Sequence, residues 1–232
     1  MVSPLQGLGL LTSLQSDFLR LFAAVPDQAQ FYLTGGTGLA EYYLGHRLSF
    51  DLDLFTGVDG LVAPVSYQLE SLAAKRQMTV AIVRRLATLV QLTVARAGDS
   101  VRAELALDYP LRFGATSVTE LGVYVNDYHD LRVDKLLAYY GRAEPRDAVD
   151  LYFILQREPL QPLLAEAALK DPGFDLYSFA VALNRASIFP DDPERWPVKM
   201  LVPWQPTAIK ASFTQLALDI THGLTSGGVH SA

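Results

Sequence analysis

The chain has 232 residues with 25 acidic and 19 basic side chains, so its formal net charge is −6 at pH 7. Half of the residues are hydrophobic and only 19% are charged, which allows a sizeable core and excludes global disorder. The acidic balance excludes a generally basic nucleic-acid coat, and the absence of cysteine excludes disulfides, thiolate metal sites and a cysteine nucleophile.

The chain shows no pattern typical of a membrane protein. No run of about 18 uninterrupted apolar residues occurs, and the apolar start has no basic leader. We therefore expect a soluble, cytoplasmic protein without a membrane span.

The first half of the sequence mixes helical and strand-like patterns. Helical spacing of apolar residues predicts helices, and alternating or β-branched runs bounded by turn residues predict strands. The predicted elements are a helix over 10–24, a strand over 31–33, a helix over 37–44, a strand over 50–55, a helix over 64–75, and strands over 78–84, 87–95, 101–108 and 121–125.

From residue 127 onward the pattern becomes helical. The predicted helices cover 128–140, 146–156, 161–168, 176–186 and 207–221. Together the two halves predict an α+β fold, with a mixed sheet flanked by helices over residues 1–125 and a helical C-terminal region over 126–232.

Two carboxylates lie close together on the strand predicted over 50–55. Residues i and i+2 of a strand point to the same face, so Asp51 and Asp53 project together while Phe50, Leu52 and Leu54 can face the core. At about 4 Å and an effective dielectric constant of about 20, their repulsion would cost on the order of 4 kcal/mol. A divalent cation removes this repulsion, and Mg²⁺ favours carboxylate oxygens together with substrate phosphates.

A glycine pair lies between a predicted strand and a predicted helix. Because Gly35 and Gly36 lack side chains, their backbone N–H groups can approach a phosphate, and the helix N-terminus behind them favours negative charge. Thr37 can add a hydroxyl donor. A glycine turn or an Asp-x-Asp pair alone is usually structural, but their order along this chain indicates a site for phosphate and metal.

These motifs resemble those of the DNA polymerase β-like nucleotidyltransferases. The string Leu33-Thr-Gly-Gly-Thr-Gly-Leu-Ala and the later string Leu44-Gly-His-Arg-Leu-Ser-Phe-Asp-Leu-Asp-Leu-Phe resemble the AbiEii/AbiGii toxin branch. Asp134-Lys-Leu-Leu-Ala and Arg146-Asp-Ala-Val-Asp-Leu-Tyr resemble that branch's lysine-containing and Asp-x-x-Asp-Leu helical motifs. The resemblance implies a nucleotidyltransferase-type sheet and transfer of NMP from an NTP with Mg²⁺ or Mn²⁺.

The resemblance also implies a third metal-binding carboxylate on a later strand. Glu104 matches the acidic position of the family best, and Asp108 lies four residues further on and faces the same way, so both are candidates. Asp51, Asp53 and Glu104 would hold two cations about 3.5–4 Å apart, one activating an acceptor hydroxyl and the other stabilising the leaving pyrophosphate.

The remaining predicted nucleotide contacts surround the glycine pair. Gly35, Gly36 and Thr37 would hold the tail phosphates, and Arg47 and Ser49 lie in the loop before the aspartates, within reach of phosphate.

The helical half contributes further candidate site residues through the resemblance. Lys135 follows the sheet on a helix, where its point charge could reach the triphosphate. Asp147 and Asp150 lie three residues apart on one helix face, where Arg146 could pair with either. One of these aspartates is expected to act as a base or as the partner of Lys135, and a local salt bridge is the alternative.

The resemblance therefore implies a nucleotidyltransferase that acts as the toxin of a bacterial toxin–antitoxin pair, with a cognate antitoxin as protein partner. Rival interpretations are a binding module without catalysis, a metal-dependent phosphohydrolase and a small-molecule, antibiotic-type transferase.

Several toxins of this branch act on tRNA ends, so the expected acceptor is an RNA end, with a protein hydroxyl as competitor. Basic residues that could form a positive rim are Lys75, Arg76, Arg84, Arg85, Arg96, Arg102, Arg112, Arg132, Lys135, Arg142 and Arg146.

Overall fold

The structure is a computed structural model that describes residues 3–227, with side chains through Leu224. The helices are α1 (Ser13–Phe22), α2 (Gly35–Leu39), α3 (Val62–Lys75), α4 (Tyr128–Arg142), α5 (Pro145–Leu155), α6 (Leu160–Lys170), α7 (Leu176–Asn184) and α8 (Pro206–Gly227). The strands are β1 (Phe31–Thr34), β2 (Arg47–Leu48), β3 (Leu52–Thr56), β4 (Thr79–Arg85), β5 (Leu89–Arg96), β6 (Asp99–Leu107), β7 (Ser117–Val118), β8 (Tyr124–Val125) and β9 (Lys199–Met200).

The chain divides into two compact units, Met1–Leu131 and Arg132–Ala232, with the boundary inside α4. The first unit holds a seven-stranded mixed sheet in the order β4-β5-β6-β3-β1-β8-β7. Strand β3 runs antiparallel to β1 and parallel to β6, and β5 runs antiparallel to β4 and β6. The predicted α+β class, with a mixed sheet followed by a helical region, is confirmed. The predicted division between residues 125 and 126 lies six residues before the boundary of the compact units.

The core of the first unit lies on one face of the sheet. Helix α1 begins at a capping box between Thr12 and Gln15 and buries Phe18 and Phe22. These side chains, those of α3 and the inward residues of the central strands form one apolar cluster. Because side chains alternate along a strand, the residues between the buried ones project from the opposite face.

Several predicted boundaries differ from the structure. The helix predicted over 37–44 begins at Gly35, so the glycine pair forms its first turn, and Ala40–Leu44 continues it in π-helical geometry. Asp51 precedes β3 and does not lie within it. The short strands β2, β7 and β9 were not predicted, because two residues are too few to show a period of two.

The second unit consists mainly of helices. Buried aromatic residues contribute to its interior, among them Tyr139 and Phe213, whose rings meet edge to face at 5.1 Å, and Phe179. Helix α7 continues as a 3₁₀ turn over Arg185–Ile188. Among the residues that the structure describes, no helix is long and apolar enough to cross a membrane.

Candidate active site

A polar row crosses four strands of the first unit. Asp53 on β3 lies beside Glu104 on β6 and beside Thr34 on β1, and Glu104 in turn lies beside Gln91 on β5. Gln91 Nε2 donates a hydrogen bond to Glu104 Oε2 at 3.0 Å. Since neighbouring strands are about 4.8 Å apart, this register brings the carboxylates of Asp53 and Glu104 onto adjacent positions of one face.

The carboxylate of Asp51 lies one step along the same face and is bound by an arginine. Arg102 Nε donates to Asp51 Oδ1 at 3.0 Å, and Arg102 Nη2 donates to Asp51 Oδ2 at 3.1 Å. The parallel register pairs Leu52 with Ala103, so Asp51 and Arg102, which precede these two residues, are neighbours. Arg102 was predicted only as one member of a basic rim. Its position two residues before Glu104, on the same strand face, is the signal that could have identified this pair.

Asp108, the second candidate for the third carboxylate, has a different environment. Its carboxylate accepts a hydrogen bond from the Tyr32 hydroxyl, and its backbone N–H donates to the carbonyl of Thr56. Four residues along a strand correspond to about 13 Å, so Asp108 lies far from the position of Glu104. Burial, followed by the hydrogen bond to Asp108, raises the pKa of Tyr32 well above its ordinary value. The register therefore favours Glu104 over Asp108 as the neighbour of Asp53.

The glycine pair lies directly against the site. Gly35 has a φ of 64°, and a Cβ atom there would lie 1.9 Å from Asp53 Oδ2. A Cβ atom on Gly36 would lie 2.4 Å from Arg47 Nη2 and 2.9 Å from Ser49 Oγ. The Cβ positions at both residues are thus filled by polar groups of the site, which explains why glycine is needed at each.

Arg47, Ser49 and Thr37 surround this turn. Arg47 is buried, and its Nη1 donates to the carbonyl of Leu48 at 3.0 Å. The Thr37 hydroxyl donates to the carbonyl of Asp51, so it ties α2 to the start of β3. The sequence suggested Thr37 as a donor to phosphate, whereas the structure gives its hydroxyl proton to the backbone.

A buried asparagine fixes the residue before the glycine pair. Asn126 Nδ2 donates to Thr34 Oγ1 at 3.1 Å, and its backbone N–H donates to the carbonyl of Leu33 at 2.8 Å. Arg112 Nη2 donates to Asn126 Oδ1 at 2.6 Å, and Arg112 also approaches the buried carboxylate of Asp130 at 3.7 Å. No sequence pattern predicted this network, because its members come from distant parts of the chain.

A cluster of charges lies inside the second unit. Lys135 Nζ is 2.8 Å from Asp150 Oδ2 and 3.8 Å from Asp147 Oδ1. Arg142 donates two hydrogen bonds to Asp147, at 2.6 and 2.8 Å. Both aspartates are fully buried and the side chain of Lys135 is 8% exposed. The predicted residues Lys135, Asp147 and Asp150 thus lie together as a buried ion cluster.

Two arginines of this region approach the same carboxylate, that of Glu144. Arg146, predicted to pair with Asp147 or Asp150, donates to Glu144 Oε2 at 3.0 Å. Arg142 is the arginine that binds Asp147 bidentately. Its spacing of seven residues from Lys135, which is two helical turns, is the signal in the sequence that could have placed both on one face of α4.

The donor set of the first unit fits a hard divalent cation by its chemistry. Asp51, Asp53 and Glu104 offer only carboxylate oxygens, the ligands that Mg²⁺ and Mn²⁺ prefer, and they share one face of the sheet. Within the described part of the chain, no group of three or more His, Asp or Glu side chains is arranged as it stands to hold a metal ion. The side chains would therefore have to converge when a cation binds.

Comparison with known proteins identifies the family. The chain resembles a Helicobacter pylori protein provisionally described as a nucleotidyltransferase, with a TM-score of 0.61 and 16% identity over 92% of this chain and 94% of that one. It also resembles MenT4, a nucleotidyltransferase toxin from Mycobacterium tuberculosis, with a TM-score of 0.58 and 17% identity over 89% of this chain and 82% of that one. These similarities show a shared fold. No curated protein matches the sequence. Residues 17–174 match the nucleotidyl transferase AbiEii toxin family of type IV toxin–antitoxin systems, and the chain belongs to this family.

Proposed function

We propose that the chain is a Mg²⁺- or Mn²⁺-dependent enzyme that transfers NMP from an NTP to an acceptor hydroxyl. The observation that carries this proposal is that Asp51, Asp53 and Glu104 lie at neighbouring positions on one sheet face, with Gly35 packed against Asp53. Membership of a family of nucleotidyltransferase toxins supports the class of reaction.

In this proposal Asp51, Asp53 and Glu104 hold two cations. When bound, the cations stabilise negative charge on the reacting phosphate and pyrophosphate and make the acceptor hydroxyl more acidic. Glycine at positions 35 and 36 leaves their backbone N–H groups accessible to the tail phosphates. Thr37 belongs to the same phosphate-binding turn and contributes through its backbone. Most of the catalytic effect then comes from positioning and electrostatics.

Charged side chains near the glycine pair and in the second unit complete the proposed set. Arg47 and Ser49 contribute to phosphate binding, because both lie within van der Waals reach of Gly36. Lys135 binds phosphate while Asp150 orients its ammonium group. The proposed nucleotide-binding set is completed by Asp147 and Arg146, which belong to the same helical motif.

We propose an RNA end, and tRNA first, as the acceptor, and an antitoxin as the protein partner of this cytoplasmic toxin. Family membership supports both. The predicted basic rim supports the RNA acceptor less than expected, because many of its members form ion pairs. These members are Arg85, Arg96, Arg102, Arg112, Arg132, Lys135, Arg142 and Arg146. Non-specific binding of RNA should therefore be weak at physiological salt.

The test offers the purified chain each labelled NTP with Mg²⁺, together with total RNA or with an RNA-free lysate. Label on RNA of tRNA size supports the proposal. Label only on protein, or release of pyrophosphate alone, refutes the RNA acceptor and leaves the transferase class intact.

A double variant, Asp51→Asn with Asp53→Asn, tests the metal site. We expect it to abolish transfer and cation-dependent NTP binding in calorimetry while the far-UV circular dichroism stays unchanged. Asp59→Asn, in the loop after β3, is the matched control. Unchanged cation-dependent binding in the double variant would refute the assignment of the site.

A further inference from the structure

Arg102 forms a two-point contact with Asp51 although its own side chain is 77% exposed. Both oxygens of the carboxylate accept from the guanidinium, one from Nε and one from Nη2. These are the oxygens that a cation would use. The arrangement follows from the register, since Val101 and Ala103 face the core and leave Arg102 on the face of the carboxylates.

We propose that Arg102 is the resident counter-ion of Asp51, and that a divalent cation enters the site by displacing it. This inference rests on the proposed function, because it takes Asp51 as a cation ligand. It adds a residue that sets the affinity of the site for its metal: the guanidinium neutralises Asp51 in the metal-free protein and leaves when the cation binds.

The energetics make this exchange feasible. An exposed arginine–carboxylate pair contributes little free energy, because water screens the charges and the long side chain loses freedom. A divalent cation carries twice the charge and interacts with Asp53 and Glu104 as well. The cation therefore displaces the guanidinium, but its apparent affinity is lowered by the free energy of the ion pair.

The first test measures Mn²⁺ binding by electron paramagnetic resonance in the absence of nucleotide. We expect Arg102→Gln to bind Mn²⁺ about two- to fivefold more tightly than the parent, which corresponds to the free energy of one exposed ion pair. Arg96→Gln is the matched control, because Arg96 lies on the neighbouring strand β5 and forms a half-buried ion pair with Asp17 of α1. It should leave Mn²⁺ affinity unchanged.

Arg102→Lys separates displacement from simple charge repulsion. Lysine keeps the positive charge but cannot form the two-point contact. Under the proposal, Arg102→Lys also binds Mn²⁺ more tightly than the parent. If Arg102→Lys matches the parent and only Arg102→Gln binds more tightly, the effect is repulsion and the proposal is wrong. Unchanged Mn²⁺ binding in Arg102→Gln also overturns the proposal. Weaker binding overturns it too, because it would show that Arg102 orients Asp51 for the metal.

A second test follows the Arg102 Nε–H signal by nuclear magnetic resonance while Mg²⁺ is added. The signal is assigned by its loss in Arg102→Gln. We expect it to shift with Mg²⁺ in the parent, while the Arg96 signal stays constant. A constant Arg102 signal at a Mg²⁺ concentration that displaces bound Mn²⁺ overturns the proposal. Neither test requires turnover: an inactive protein that shows the exchange refutes the proposed function alone, and an active protein without the exchange refutes only this inference.

Discussion

The buried pair between Lys135 and Asp150 gives the sharpest prediction about the second unit. Replacing Lys135 with Met keeps much of the apolar stem and removes the ammonium group. The carboxylate of Asp150 is fully buried and loses a charge partner at 2.8 Å. Breaking a buried pair by removing one partner costs about 3–5 kcal/mol. For a protein of this size we therefore expect the melting temperature to fall by about 6–20 °C.

The assay is urea unfolding of the purified variants, followed by circular dichroism. Lys210→Met is the matched control, because Lys210 pairs with Asp191, whose side chain is 71% exposed. This control should lose at most about 1 kcal/mol. The double variant Lys135→Met with Asp150→Asn should recover part of the loss, since it no longer buries an uncompensated charge.

A loss below about 1 kcal/mol in Lys135→Met would refute the reasoning, because it would mean that Asp150 is compensated without this lysine. Transfer activity, measured below the melting transition and normalised to folded protein, separates the two roles of the residue. If the stabilised double variant transfers NMP as the parent does, Lys135 serves the fold and does not contact the nucleotide.

Three further predictions concern the first unit. Gly35→Ala should lower the free energy of unfolding by about 1–2 kcal/mol because of the positive φ of Gly35, and it should abolish cation binding by displacing Asp53. Gly57→Ala is the control: its Cβ would meet no atom within 4 Å, so this variant should bind Mn²⁺ normally in calorimetry. Asn126→Ala should lower the free energy of unfolding in urea by about 1–3 kcal/mol, because Thr34 and Arg112 each lose a hydrogen-bond partner. A smaller loss would show that water replaces the amide. Burial and then Asp127 raise the pKa of the Tyr43 hydroxyl to about 12 from an ordinary value of 10, so the stability that Tyr43 contributes should be retained below pH 10 and fall between pH 10 and 12. Titration at 295 nm follows the ionisation of tyrosine, and urea melts follow the free energy of unfolding; a free energy that stays constant across that pH range would contradict the prediction.

Local patterns in the sequence were sufficient for the class of fold and for the two principal motifs. Alternation of Asp51 and Asp53 with Leu52 requires only a strand of period two. The glycine pair between a strand and a helix is equally local. Both features depend on backbone geometry over a few residues, so the sequence predicts them without knowledge of the rest of the chain.

The pairing of side chains from distant segments was decided only by the tertiary structure. The ties of Asn126 to Thr34 and of Arg142 to Asp147 depend on how loops and helices pack, which no local pattern records. The close approach of Asp53 to Gly35 is likewise a contact between two segments of the chain.

The register of β6 against β3 shows the physical reason most clearly. A shift of two residues would leave every side chain of β6 on its present face, yet it would exchange Glu104 for Arg102 or Ala106 beside Asp53. Because the pattern of a strand repeats every two residues, the sequence fixes the face of each side chain and leaves several registers open. Packing of the core residues selects one register. That choice places Glu104 beside Asp53 and Arg102 beside Asp51.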